Sequence, residues 1–216
     1  QILAGGSVRV GSELNTVVNT TNGIASIVVP IAVGVAVGES SVTVGGDALI
    51  QAGASAQLDA YSDTRITADT TSGLPKFSLS LSVAALDTHV TVGGNARIEA
   101  QGNVDLVANG NVVTGAYATG RQTSALDTKP QSGVFIAATF IDNDVSVEVL
   151  DAASIRSLAG DMRLDSTSRV RAGTIAISIP SVDSEETQIS AKKVVNFVAK
   201  LFGRQDMSTF GLLKTL

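Results

Sequence analysis

Apolar and polar residues alternate along this chain with a period of two. In the run 27–38, odd positions are Ile or Val, while Pro30, Ala32, Gly34 and Ala36 hold most of the even ones. The run 77–86 interleaves Phe77, Leu79, Leu81 and Val83 with Ser78, Ser80 and Ser82. A period of two sends alternate side chains to opposite faces of a strand. The branched set is therefore expected in the core. The small set, Pro30, Ala32, Gly34 and Ala36, is expected on a flat outer face that a neighbouring rod, or a loop of the same chain, could approach closely. Further apolar runs at 134–141 and 174–182 continue the series, and shorter strands are predicted at 41–44, 48–52, 56–60 and 65–68. Between them fall Gly45, Gly46, Gly93, Gly94 and Gly102, where tight corners with positive φ favour glycine.

The pattern also repeats at long range. Residues 42–60 read VTVGGDALIQAGASAQLDA, and 48 residues later 90–108 read VTVGGNARIEAQGNVDLVA, without a gap. In a third copy, Asp142-Asn143-Asp144-Val145-Ser146-Val147 aligns with Asp87-Thr88-His89-Val90-Thr91-Val92, and Ile155, Gly160 and Leu164 fall where Ile98, Gly102 and Leu106 stood. Recurrence of strand and turn positions is the mark of an architecture whose units bury a core only by stacking. The expected fold is all-β, a right-handed parallel β-solenoid of repeats of about 48 residues, each unit long enough to span more than one coil. Units are placed near 1–22, 23–72, 73–128 and 129–172, with a partial one at 173–182. Ile31, Val33, Val35, Leu79, Leu81, Val83, Ile98, Leu106, Ile136 and Ile155 are expected inside. The segments 61–76 and 109–132, rich in Thr, Ser, Gly and Asp, read as projecting loops, the natural carriers of specificity on such a scaffold.

Beyond residue 182 the pattern changes. Asp183 as N-cap with Glu186 three residues later begins a helical signal. Ala191, Val194, Val195, Val198, Leu201 and Phe202 then recur at helical spacing, and Gly203 can end the run. The segment 183–216 is expected to form a helical cap or flank for the solenoid. Lys192, Lys193, Lys200 and Arg204 also admit contact with a membrane surface as the alternative.

Composition narrows the function. The chain is 44% hydrophobic but only 4% aromatic, which suits a core a few side chains across better than that of a globular enzyme. The net charge of −5 lacks the clustered Lys and Arg that nucleic acid demands. His89 is the only histidine and there is no cysteine, which removes a Cys/His nucleophile and a structural zinc site. A Ser-His-Asp triad would have to use His89, which reads instead as a solvated corner. Asp142, Asn143 and Asp144 could contribute to a calcium site, but no surrounding calcium motif accompanies them. Asp59, Asp105 and Asp165 could form paired carboxylates for sugar chemistry, although Tyr61 and Tyr117 are the only tyrosines to line a sugar groove. No catalytic residue and no cofactor is expected.

The string GGNARIEAQGNVDLVANGNV resembles the filamentous-haemagglutinin-like adhesins, and the longer unit, an apolar run followed by Asp-x-x-Val-Thr-Val-Gly-Gly, is similar to the leukotoxin-type large filamentous adhesins. The resemblance covers about residues 27–172. It implies a bacterial surface-attached or secreted fibre, exported through an outer-membrane partner, that binds host cells, other bacteria or matrix, with possible self-association of rods. The expected function is thus a non-catalytic segment of an extracellular fibre, acting in adhesion or cell-surface architecture. The alternatives are a polysaccharide-active enzyme on a parallel β-helix and a structural subunit of a self-assembling sheath or appendage.

Overall fold

The computed structural model describes residues 1–22, 30–72, 77–120, 134–150 and 152–177. The helix expected after Asp183 lies outside the described residues. Within them the chain is all-β, and its strands follow a short, long, long rhythm. The strands are β1 (Ile2–Ala4), β2 (Val8–Asn22), β3 (Ile31–Val44), β4 (Leu49–Ala52), β5 (Ala56–Ser72), β6 (Phe77–Val92), β7 (Arg97–Ala100), β8 (Val104–Gly120), β9 (Val134–Val149), β10 (Ser154–Ser157) and β11 (Met162–Ile177). They sort into a short sheet, β1-β4-β7-β10, a first long sheet, β2-β5-β8-β11, and a second long sheet, β3-β6-β9. Every neighbouring pair is parallel. Stacked parallel sheets of this kind are consistent with a β-solenoid, whereas membrane-spanning barrels pair antiparallel neighbours. No helix among the described residues is long and apolar enough to cross a membrane.

Register follows the repeat. Ile50 pairs with Ile98, Leu58 with Leu106 and Val42 with Val90, so the ladder neighbour of a residue is 48 positions away. Over this stretch each unit thus gives one strand to each sheet. Further along, the spacing widens to 57, with Asp87 opposite Asp144 and Val90 opposite Val147. The sequence alignment of the third copy had set Asp142 against Asp87, two residues away from the observed register. A slip of two keeps every side chain on its face, so alternation alone cannot detect it.

The two long sheets face one another, and their inner faces overturn the expected orientation of the 31–37 run. Ala32, Gly34 and Ala36 point inward and are buried, whereas Ile31, Val33, Val35 and Val37 point outward with 49, 42, 45 and 76% of their surface exposed. Pro30, just before β3, is half-buried. The cause is the large residues that fill the thin interior from the opposite sheet. A Cβ added at Gly34 would come within 2.7 Å of Ile66 Cγ2, and one at Gly110 within 2.6 Å of Val145 Cγ2. Small residues therefore go inside, and the branched ones are left facing out. In β6 both faces are covered: Ser78, Ser80 and Ser82 are buried on the inner face, while Leu79 and Leu81, flanked by β3 and β9, are buried on the outer one.

The interior has two apolar clusters bridged by hydroxyl groups. Near the short sheet, Val42, Val44, Ile50, Leu58, Val90, Val92, Ile98, Val104 and Leu106 pack together, with Ile155 half-buried against them. Ile66, Ala36, Ala84, Leu86 and Val112 form the second cluster. Between and beyond the clusters, hydroxyls pair across the sheets: Ser12 with Ser40 at 3.1 Å, Ser62 with Thr88 at 2.7 Å and Thr70 with Ser78 at 2.7 Å. Ser80 also donates to the carbonyls of Ala68 and Tyr117, at 3.0 and 2.7 Å. Paired in this way, buried polar groups avoid most of their desolvation cost.

Three further expectations change. Residues 61–72 and 109–120 are not loops but the second halves of β5 and β8. Short strands predicted separately at 56–60 and 65–68 are fused within β5, and the 41–44 strand is the end of β3. Of the five corner glycines, Gly46 and Gly94 adopt positive φ, at 64° and 67°. Gly102 instead sits at a close approach, where a Cβ would lie 3.1 Å from the Ala54 carbonyl oxygen.

Two substitutions test this inner face. Gly34→Val should destabilise by about 1–3 kcal/mol through overpacking against Ile66, while Val37→Thr should stay within about 0.5 kcal/mol of the parent. Urea midpoints report both, and equal shifts would contradict the assignment of faces. Leu58→Ala, which empties a fully buried site, should cost about 2–5 kcal/mol.

Candidate functional site

Side chains on the outer faces are repeated at the strand spacing, so each face has its own chemistry. The first long sheet is polar outside. Arg9 donates from Nε and Nη2 to the two carboxylate oxygens of Asp59, at 2.8 and 2.7 Å, and the hydrogen bonds and charge of Asp59 hold the guanidinium above its usual pKa. Asn111 donates to Asp63 at 2.9 Å, and Arg163 pairs with Asp165. Asp59, Val107 and Asp165 share one row across β5, β8 and β11, whereas Asp105 sits in the adjacent row with Gln57 and Arg163. The three carboxylates thus do not converge, and Asp59 and Asp165 each have an arginine partner.

Over the short sheet runs an open trough of about 400 Å³ lined by Leu3, Gln51, Glu99 and Leu158 among others. Gln51 donates to Glu99 across it at 3.2 Å. Among the described residues, Glu99 is its only ionisable side chain.

The outer face of the second long sheet divides into two halves. Its first half is apolar: Ile31, Leu79 and Ile136 share a row, followed by Val33, Leu81 and Ala138, then Val35, Val83 and Phe140. In its second half, Glu39, Asp87 and Asp144 form a row of three carboxylates, and the next outward row is Ser41, His89 and Ser146. Asp87, His89 and Asp144 each offer a ligand atom, all within 4.8 Å of one another. His89 Nδ1 shares a 2.9 Å hydrogen bond with Ser146 Oγ, which sets the orientation of the ring.

This arrangement reassigns the residues singled out in the sequence. His89 is not a corner residue but sits within β6, beside a carboxylate row. The calcium candidates are split by alternation: Asp142 and Asp144 face outward, while Asn143 turns inward and donates to Ser168 Oγ at 2.8 Å. Asp144 joins the cluster, and Asp142 lies in the row of Ala85. Asp87 and Glu39 escaped sequence reading because Glu39 precedes the matched block 42–60 and His89 was read as a corner.

Chemically, the cluster has the groups to bind a cation and the Ser, His and Asp residue types of a hydrolase. It is set on the outer face of two adjacent parallel strands, β6 and β9. No family model, curated protein or solved structure matches this chain.

Like charges stacked in register on adjacent strands repel. Asp144→Asn, measured in a chelating buffer, should therefore leave the thermal midpoint unchanged or raise it, by less than about 1 kcal/mol in stability. A marked loss of stability would show that the row is not held under charge repulsion.

Proposed function

We propose that this chain is a non-catalytic segment of an extracellular fibrous protein, acting in adhesion or in the architecture of the cell surface. The observation that carries the reading is the outward strip Ile31, Val33, Val35 and Val37 on a stack of parallel strands. Contiguous exposed apolar surface on a soluble scaffold marks a contact surface. A repeating scaffold multiplies such a contact, so that weak individual encounters sum through effective concentration. The contact surface in this reading is the outward strip of β3 and not the small-residue face; residues 73–76 and 121–132 of the two polar segments lie outside the described residues.

In this reading each unit of about 48 residues makes one turn of a right-handed coil, the hand that parallel crossovers favour, and the pattern at 184–202 adds a helical cover. The partners are host or bacterial surface molecules, matrix, or other rods. Export through an outer-membrane partner rests on the resemblance to filamentous adhesins. A polysaccharide-active enzyme is the weaker alternative, since Asp59 and Asp165 are held by arginines and Asp105 stands in a different row.

Replacing Val33 and Val35 together by asparagine tests the strip. The double variant should unfold within a few degrees of the parent, while adhesion and lateral bundling of whole fibres fall severalfold. Unchanged adhesion and bundling would reject this face as the working surface. Gly34→Arg is unsuited to the purpose, because its side chain would enter the interior.

A further inference from the structure

We propose that Asp87, His89 and Asp144 form a binding site for a divalent transition-metal ion of zinc's class, bridging β6 and β9. The donor set is one imidazole nitrogen and two carboxylate oxygens. Calcium and magnesium prefer oxygen ligands throughout, whereas a mixed nitrogen and oxygen set suits zinc and its neighbours. Three protein ligands leave further positions for water or for a group from another molecule, which makes this an open site and not the cysteine-based structural zinc site that the sequence rules out.

The geometry supports this choice. Asp87 and Asp144 are direct ladder partners, and His89, two residues beyond Asp87, projects from the same face. With Ser146 Oγ accepting from Nδ1–H, the Nε2 lone pair is left for the metal; a hydrogen bond to the non-ligating nitrogen is how metal-bound imidazoles are normally oriented. Ligands about 2.0–2.2 Å from a tetrahedral zinc lie roughly 3.3 Å apart. From a spread of no more than 4.8 Å, three side chains on an accessible face close to that distance by small rotations. Glu39, next in the row, adds negative charge without belonging to the set.

The position is informative too. The cluster spans the pair of strands at which ladder spacing changes from 48 to 57. The repeat therefore does not specify the register of β9 on β6, and a slip of two would preserve all faces. Such a slip would place Asp142 opposite Asp87 and Asp144 opposite His89. The same donors stay close in both registers, so the metal acts by tying β9 to β6 and clamps one unit to the next.

The test uses the full chain, freed of metal by chelation and then titrated with zinc chloride by calorimetry, with thermal unfolding followed by circular dichroism. One equivalent should bind saturably and raise the unfolding midpoint. His89→Ala and Asp144→Asn should each weaken binding at least tenfold and abolish the rise, with Asp87→Asn as a further ligand variant should either of these fail to fold. Asp142→Asn, of the same charge change but in the row of Ala85, should bind within twofold of the parent. Binding that survives loss of His89, or that Asp142→Asn weakens as much as Asp144→Asn, would overturn the site in favour of a diffuse acidic patch. Absence of saturable zinc binding would overturn it outright, and tighter binding of calcium than of zinc would overturn the assigned metal class.

Discussion

The close approach of the two long sheets governs the rest of the molecule. Their shared interior has room for one large side chain at a time. Ile66 therefore sits over Gly34, Leu14 over Gly38, and Val145 with Asn143 over Gly110. Each glycine is the complement of a particular residue on the opposite sheet. The low aromatic content follows from the same thinness, since an indole or phenol ring would force the sheets apart. The serines and threonines inside follow as well: a hydroxyl is small enough for the gap and can pair with another across it, as Ser62 does with Thr88.

That constraint also determines what faces outward. With the inner face of β3 occupied by Ala32, Gly34 and Ala36, branched residues in the same strand have only the outer face available. An apolar exterior is thus a by-product of a small-residue interior. Farther along the same strands the outward positions turn acidic, so one sheet presents an apolar zone beside a carboxylate row with a single imidazole. In-register stacking makes both zones continuous across coils, which a globular fold of similar composition would not do.

Much of the fold was legible from sequence. The alternation gave strands, and the gap-free match between 42–60 and 90–108 gave parallel, in-register stacking, because equivalent positions in a stack become ladder neighbours. Which face is inside was not legible. Alternation separates Ile31, Val33 and Val35 from Ala32, Gly34 and Ala36 but does not rank them, and hydrophobicity ranked them the wrong way because it ignores how much room the interior has. Polar segments at 61–72 and 109–120 looked like loops for a related reason: their inward positions are small or hydroxylated, including Ser62, Thr64 and Thr114, and so leave no continuous apolar stripe. The carboxylate and histidine cluster was missed because His89 was read as a corner, whereas β6 runs through it and sets it beside Asp87 on one face.

Long in-register ladders also have a mechanical meaning. Backbone hydrogen bonds between parallel strands run along the stacking direction, so a pull in that direction loads every bond between two coils end-on and at once. The β5–β8 ladder spans 17 residues and the β3–β6 ladder 14, with the four-residue β4–β7 ladder at the corner. The short ladder, having fewest bonds, is the place where a tear between coils would begin, and the long sheets would then have to peel. The corner glycines at 45–46 and 93–94 lie at the entrance to that short sheet, which makes the narrow side of the stack, and not its broad faces, the side that sets its tensile limit.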